Sequence, residues 1–232
     1  VAELSSVVTV LLAGTGSDEV YLRRVFEPAL TAAGAALVTP EPQPHRLVAG
    51  YLDALEDAAR HGPIAVGGIS LGAAVAARWA CEHPGRALAV LAALPAWTGD
   101  PADAPAALAA RVTAEQLREH GLAEMTSVMR SSSPAWLADE LSRSWRRQWP
   151  DLPAAMDEAA RYRSPTVDEL RRLEAPIGVV GASDDPIHPI GTARQWAAAA
   201  PRAGLRTVTL AEFGPAPGVL GAACVAALRS AD

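Results

Sequence analysis

The sequence predicts an α/β fold, a mostly parallel sheet covered by helices on both faces. Three observations carry that prediction. Short β-branched or apolar runs alternate with longer alanine- and leucine-rich stretches of helical period, the pattern of strand–helix–strand units. Half of the 232 residues are hydrophobic, enough to fill one sizeable core. Gly34, Gly62-Pro63 and Pro95 each fall where one run gives way to the next, as chain breakers should.

Taken in order, residues 7–12 read as a buried strand that ends in Gly14-Thr15-Gly16. A helix is expected over 18–33, with Ser17 or Asp18 as its N-cap. A short strand over 35–39 runs into a loop stiffened by Pro40, Pro42 and Pro44, since each proline fixes its own φ. Residues 46–61 read as a helix with Leu47, Tyr51, Leu55 and Ala58 inward. A strand over 63–69, a helix over 71–82 and a strand over 87–94 follow.

The character changes at Ala96. From 96 to 165 no strand pattern occurs, only helical stretches such as 113–120 and 136–149, and four of the six tryptophans lie here (Trp97, Trp136, Trp145 and Trp149). An aromatic-bearing helical insertion after a strand reads as a cap over a pocket, although any one tryptophan serves equally well as packing. The sheet resumes with a strand over 176–181, a helix over 189–200, a strand over 205–210 and a last helix over 219–229. The expected division is a core of 1–95 and 166–232 with a cap of 96–165.

Composition excludes several functions. A net charge of −6 gives no basic stripe for nucleic acid. No metal-ligand spacing occurs, and Gly14-x-Gly16 lacks the third glycine of a dinucleotide loop, so neither metal nor cofactor is expected. Cys81 and Cys224 sit in alanine-rich helical stretches and read as buried, reduced thiols. There is no leader-type pattern at the N-terminus and no apolar run long enough to span a bilayer. The expectation is a soluble, cytoplasmic protein acting on a small molecule.

One motif carries chemistry. Gly68-Ile69-Ser70-Leu71-Gly72 matches G-x-S-x-G, with a strand running into it and a small-residue helix running out. A serine on so sharp a turn accepts a strained backbone, and the flanking glycines leave room where a Cβ would collide. The turn lifts the hydroxyl above the sheet at the positive end of the helix.

With that context, residues 62–73 resemble the nucleophile elbow of the α/β-hydrolase superfamily. The resemblance implies that Ser70 is the nucleophile of an ester or thioester hydrolase. Gly14-Thr15-Gly16 stands where the family has its first-strand loop, which implies an oxyanion hole made by the N–H groups of Thr15 and Leu71. Gly181-Ala182-Ser183-Asp184-Asp185-Pro186-Ile187-His188 resembles the family's acid loop. The residue three beyond the glycine is usually the carboxylate, which selects Asp184, with Asp185 close behind.

The departure from the family lies at the end of the chain. The histidine that usually separates last strand from last helix is missing from 211–218, and a serine hydroxyl without a positioned base is a poor nucleophile. His61, His83 and His120 read as helix C-terminal residues, and His45 as a loop residue among prolines. His188 in the acid loop is the candidate base, held by Asp184 or Asp185, provided that it comes within about 3 Å of Ser70. Glu212 is an unorthodox substitute. Should no base reach Ser70, the chain reads instead as a degenerate hydrolase retained for ligand binding or for lyase-type chemistry.

Overall fold

The computed structural model describes residues 4–231; residues 1–3 and 232, the outermost positions of the expected core, lie outside the described residues. Six parallel strands form one sheet in the order β2-β1-β3-β4-β5-β6. They are β1 (Val8–Leu12), β2 (Ala36–Val38), β3 (Ile64–Ile69), β4 (Ala87–Ala93), β5 (Ile177–Ala182) and β6 (Ala203–Val208). Parallel strands need crossovers, and the crossovers are helices that cover both faces. That is why β3 and β5 are buried along their whole length.

One face carries α1 (Glu19–Ala32) against α10 (Gly218–Arg229). The other carries a row in which α2 (Leu47–Ala58) touches α3 (Leu71–Glu82), α3 touches α7 (Val167–Arg171), and α7 touches α8 (Ile190–Ala199). The main core gathers Val10, Leu11, Phe26, Leu55, Val66, Trp79, Val179 and Leu228 between these layers. Cys224 is buried within it and donates its thiol to the Gly178 carbonyl, whereas Cys81 is only half-buried.

Between β4 and β5 the chain forms α4 (Pro105–Ser132), α5 (Ala135–Gln148) and α6 (Leu152–Ala160). Ala114, Leu117, Met125, Met129, Trp145 and Met156 give them a small core of their own. α4 starts eight residues before the stretch at 113, because Pro105 at its first turn supplies a helical φ without needing an N–H partner. It kinks at Gly121, whose φ of 78° and ψ of 170° are not helical, directly after His120.

The end of the sheet also differs from the sequence reading. The last strand ends at Val208 and not at 210, because Thr209 turns to cap a short helix, α9 (Leu210–Phe213). Its capping box pairs Thr209 with Glu212, as Thr166 pairs with Glu169 at the start of α7. Both are the S/T-x-x-E pattern that opens a helix, present in the sequence and overlooked there.

Candidate active site

The C-terminal ends of β1, β3 and β5 converge on Ser70. This residue follows β3 directly and stands at the N-cap of α3 with φ 55° and ψ −116°. An L-residue is strained at such a φ. The surrounding backbone holds it there, since the Ser70 N–H donates to the Ala93 carbonyl at 3.0 Å and the Ser70 carbonyl accepts from Ala74 at 3.1 Å. The two glycines of the motif have one cause, the carbonyl of Leu12 at the end of β1. A Cβ on Gly68 would stand 2.2 Å from that oxygen, and one on Gly72 would stand 2.0 Å from it. Any side chain at either position drives β3 or α3 away from β1.

The loop after β1 passes beside the serine. A Cβ on Gly14 would lie 3.4 Å from the Ser70 Cβ, and Thr15 follows it in the same loop. Leu71 opens α3, and the first N–H groups of a helix have no partner within it.

The imidazole comes from the loop after β5. His188 Nε2 lies 3.0 Å from Ser70 Oγ, and His188 Nδ1 lies 2.7 Å from Asp185 Oδ2. An ionised carboxylate can only accept, so Nδ1 carries the proton and Nε2 is left free to accept from the serine. The other Asp185 oxygen accepts the main-chain N–H of Ile187 at 2.8 Å and of His188 at 3.2 Å. Asp185 and His188 therefore sit on a single tight turn, three residues apart. Burial pushes the Asp185 carboxyl up; the hydrogen bond and charge of His188, with the two N–H groups, outweigh it and hold the group below its ordinary value. The Asp185 side chain is 7% exposed and that of His188 18%.

The structure corrects the choice between the two aspartates. Asp184, the residue selected by the family's spacing, is exposed and accepts the Leu210 N–H at 2.8 Å, at the start of α9. It makes no hydrogen bond or ion pair with His188 among the described residues. The reason is local: Pro186 and the N–H groups that follow wrap the turn around residue 185, which leaves residue 184 facing the neighbouring loop. Glu212 is likewise withdrawn, since its carboxylate accepts the Thr209 N–H and hydroxyl. His83 Nδ1 donates to the Trp79 carbonyl at 2.8 Å, and the ring stacks on that indole.

The tryptophans of 96–165 serve mainly as packing. Trp97 is buried and donates to the Tyr162 carbonyl. Trp136 stacks on Tyr21 and meets Phe213 edge-on, which places α5 over the segment where the family's histidine would be. Trp149 is exposed. Trp145 lies against the serine's surroundings: a Cβ on Gly16 would be 2.9 Å from its Nε1. Around it, Arg143 bonds both oxygens of Asp18, the N-cap of α1, and Gln148 donates to the Ser17 carbonyl. α5 is therefore clamped onto the loop after β1, a role that sequence reading missed because no local pattern announces it.

A family model for the alpha/beta hydrolase family matches residues 2–212. The chain belongs to that family. No curated protein matches it. Among solved structures, Rv0554 from Mycobacterium tuberculosis is 20% identical, with 98% of this chain and 92% of that one covered at a TM-score of 0.70. A thermophilic esterase from Thermogutta terrifontis is 18% identical, with coverage of 88% and 82% and a TM-score of 0.64. The enol-lactonase from Burkholderia xenovorans LB400 is also 18% identical, covering 89% and 83% at a TM-score of 0.63. At such identities these likenesses speak for the alpha/beta hydrolase fold alone. Among the described residues no helix is long and apolar enough to cross a membrane, and no cluster of three metal-ligating side chains occurs.

Proposed function

We propose that the chain is a serine hydrolase acting on carboxylic esters or thioesters of small or moderately hydrophobic acyl groups. One observation carries the reading: His188 Nε2 lies 3.0 Å from Ser70 Oγ with Asp185 behind it at 2.7 Å. The degenerate alternative was motivated by a missing base, and an imidazole at this distance supplies one.

In this mechanism Ser70 Oγ bonds to the substrate carbonyl carbon while its proton moves to His188 Nε2. The resulting oxyanion receives the N–H groups of Thr15 and Leu71. Collapse breaks the carbon–oxygen bond to the leaving alcohol, or the carbon–sulfur bond to a thiol, and the leaving atom takes the proton back from Nε2. Water, deprotonated by the same nitrogen, then bonds to the acyl carbon; the carbon–Oγ bond breaks, Ser70 Oγ takes the proton back from Nε2, and the acid leaves. Asp185 keeps the imidazole in the required tautomer and balances its charge when protonated. The helices of 96–165 act as a cap on the core formed by 1–95 and 166–232.

A fluorophosphonate probe and a panel of nitrophenyl esters test this. Expected are covalent labelling at Ser70 and turnover that falls by roughly 10³-fold or more in Ser70→Ala. A folded wild-type protein that neither labels nor turns over any ester of the panel overturns the proposal.

A further inference from the structure

β3 and β4 lie side by side in the sheet, and each is followed by a residue with positive φ: Ser70 at 55° and Leu94 at 50°. Among the described residues four non-glycine positions have positive φ, and Leu94 is the one with a large side chain. Such a φ sets Cβ against the backbone and strains a bulky L-residue. Pro95 adds to the cost, because the residue before a proline favours extended backbone with negative φ. Nothing local produces the turn at Leu94.

The sheet does. β4 pairs Ala93 with Ile69 of β3 on one side and with Val180 of β5 on the other. One step beyond, the single planar peptide from Ala93 to Leu94 serves both neighbours. Its carbonyl, that of Ala93, accepts the Ser70 N–H at 3.0 Å. Its N–H, that of Leu94, donates to the Val180 carbonyl at 2.8 Å. β3 delivers the serine, and β5 leads into the loop that delivers His188. This peptide therefore ties the two strands together across β4 at the level of the site.

We propose that Leu94 is a positioning residue: its buried side chain holds the strained turn, and the turn holds the peptide that keeps Ser70 at 3.0 Å from His188. The role rests on the hydrolase reading above and lies outside the reacting groups. Leu94 is 5% exposed and belongs to the main core, so leaving the turn would expose apolar surface to water. The φ of Leu94 is rotation about the bond directly after the peptide. Relaxed to a negative value, it must move either that peptide or the chain beyond. The chain beyond is fixed, since Ala96 and Trp97 are buried and Trp97 donates to the Tyr162 carbonyl. The movement falls on the peptide, and with it on the acceptor of the Ser70 N–H.

Three substitutions separate side-chain volume from backbone conformation. Leu94→Ala and Leu94→Gly both remove the side chain, yet only glycine takes a positive φ without strain. Leu94→Val keeps most of the burial and tolerates that φ least. The readouts are kcat on one nitrophenyl ester and the rate of fluorophosphonate labelling. Expected are values for Leu94→Gly within about threefold of wild type, for Leu94→Ala about tenfold lower and for Leu94→Val lower still, with KM within about twofold throughout. Packing alone gives the reverse order, Val above Ala above Gly. Circular dichroism shows which variants fold, and the glycine–alanine comparison suffices if the valine variant does not. A kcat for Leu94→Gly equal to or below that of Leu94→Ala overturns this inference and leaves the hydrolase reading standing. A folded wild type that neither labels at Ser70 nor turns over any ester overturns both.

Discussion

At the residue scale the site turns on a one-position difference between neighbours. Asp184 and Asp185 are chemically identical, and only the direction of the turn separates them: one caps α9 and the other holds His188. Substitution separates their roles. Asp185→Asn is expected to lower kcat by roughly 10⁴-fold, because an amide no longer fixes the tautomer of the imidazole. Asp184→Asn keeps an acceptor for the Leu210 N–H and is expected to leave kcat within a few-fold of wild type. Steady-state kinetics on one nitrophenyl ester decide it. Equal losses in the two variants contradict the assignment of the acid to Asp185.

At the element scale two contacts decide whether the serine is presented at all. α3 approaches β1 so closely that the Leu12 carbonyl occupies the space of a Cβ on Gly72. Gly72→Ala is therefore expected to cost about 3 kcal/mol or more, read as a large drop in the denaturant midpoint. α5 holds the loop after β1 through Arg143 and Asp18, where the carboxylate is 2% exposed and the guanidinium 34%. Arg143→Ala leaves a buried carboxylate with its remaining partners, Arg147 and the Tyr21 N–H. A loss of about 2 kcal/mol is expected, scaled down from a fully buried pair because the arginine meets solvent. Thermal unfolding measures it, and an unchanged Tm contradicts the clamp. Short helices α7 and α9 also belong to this scale. Their capping boxes were legible as Thr166-x-x-Glu169 and Thr209-x-x-Glu212, yet four- and five-residue helices show no periodicity, so an apolar-pattern reading passes over them.

For the whole molecule, the paired carboxylate links function to acid stability. Asp185 has a folded-state pKa below its unfolded value. Its contribution to stability is thus fully present above the unfolded value of about 4 and is lost as pH falls through the folded one. Wild type is expected to lose stability over that acid range more steeply than Asp185→Asn, as measured by denaturant midpoints between pH 6 and pH 3. Parallel curves contradict the linkage.

The alternation of strand and helix, the sheet they form and the elbow at Ser70 were legible from residues alone, because hydrophobic period and glycine spacing are local properties of a chain. The imidazole beside Ser70 was legible only as a candidate. Sequence order could name His188 as one of five histidines, but hydrogen-bond reach is a distance between two loops 118 residues apart. Whether the imidazole met the serine, which aspartate stood behind it, and that α5 grips the loop after β1 were decided by tertiary structure, since each depends on where strands of one sheet end relative to one another. Local sequence specifies the bend that raises a hydroxyl; the packing of the whole sheet specifies what comes to meet it.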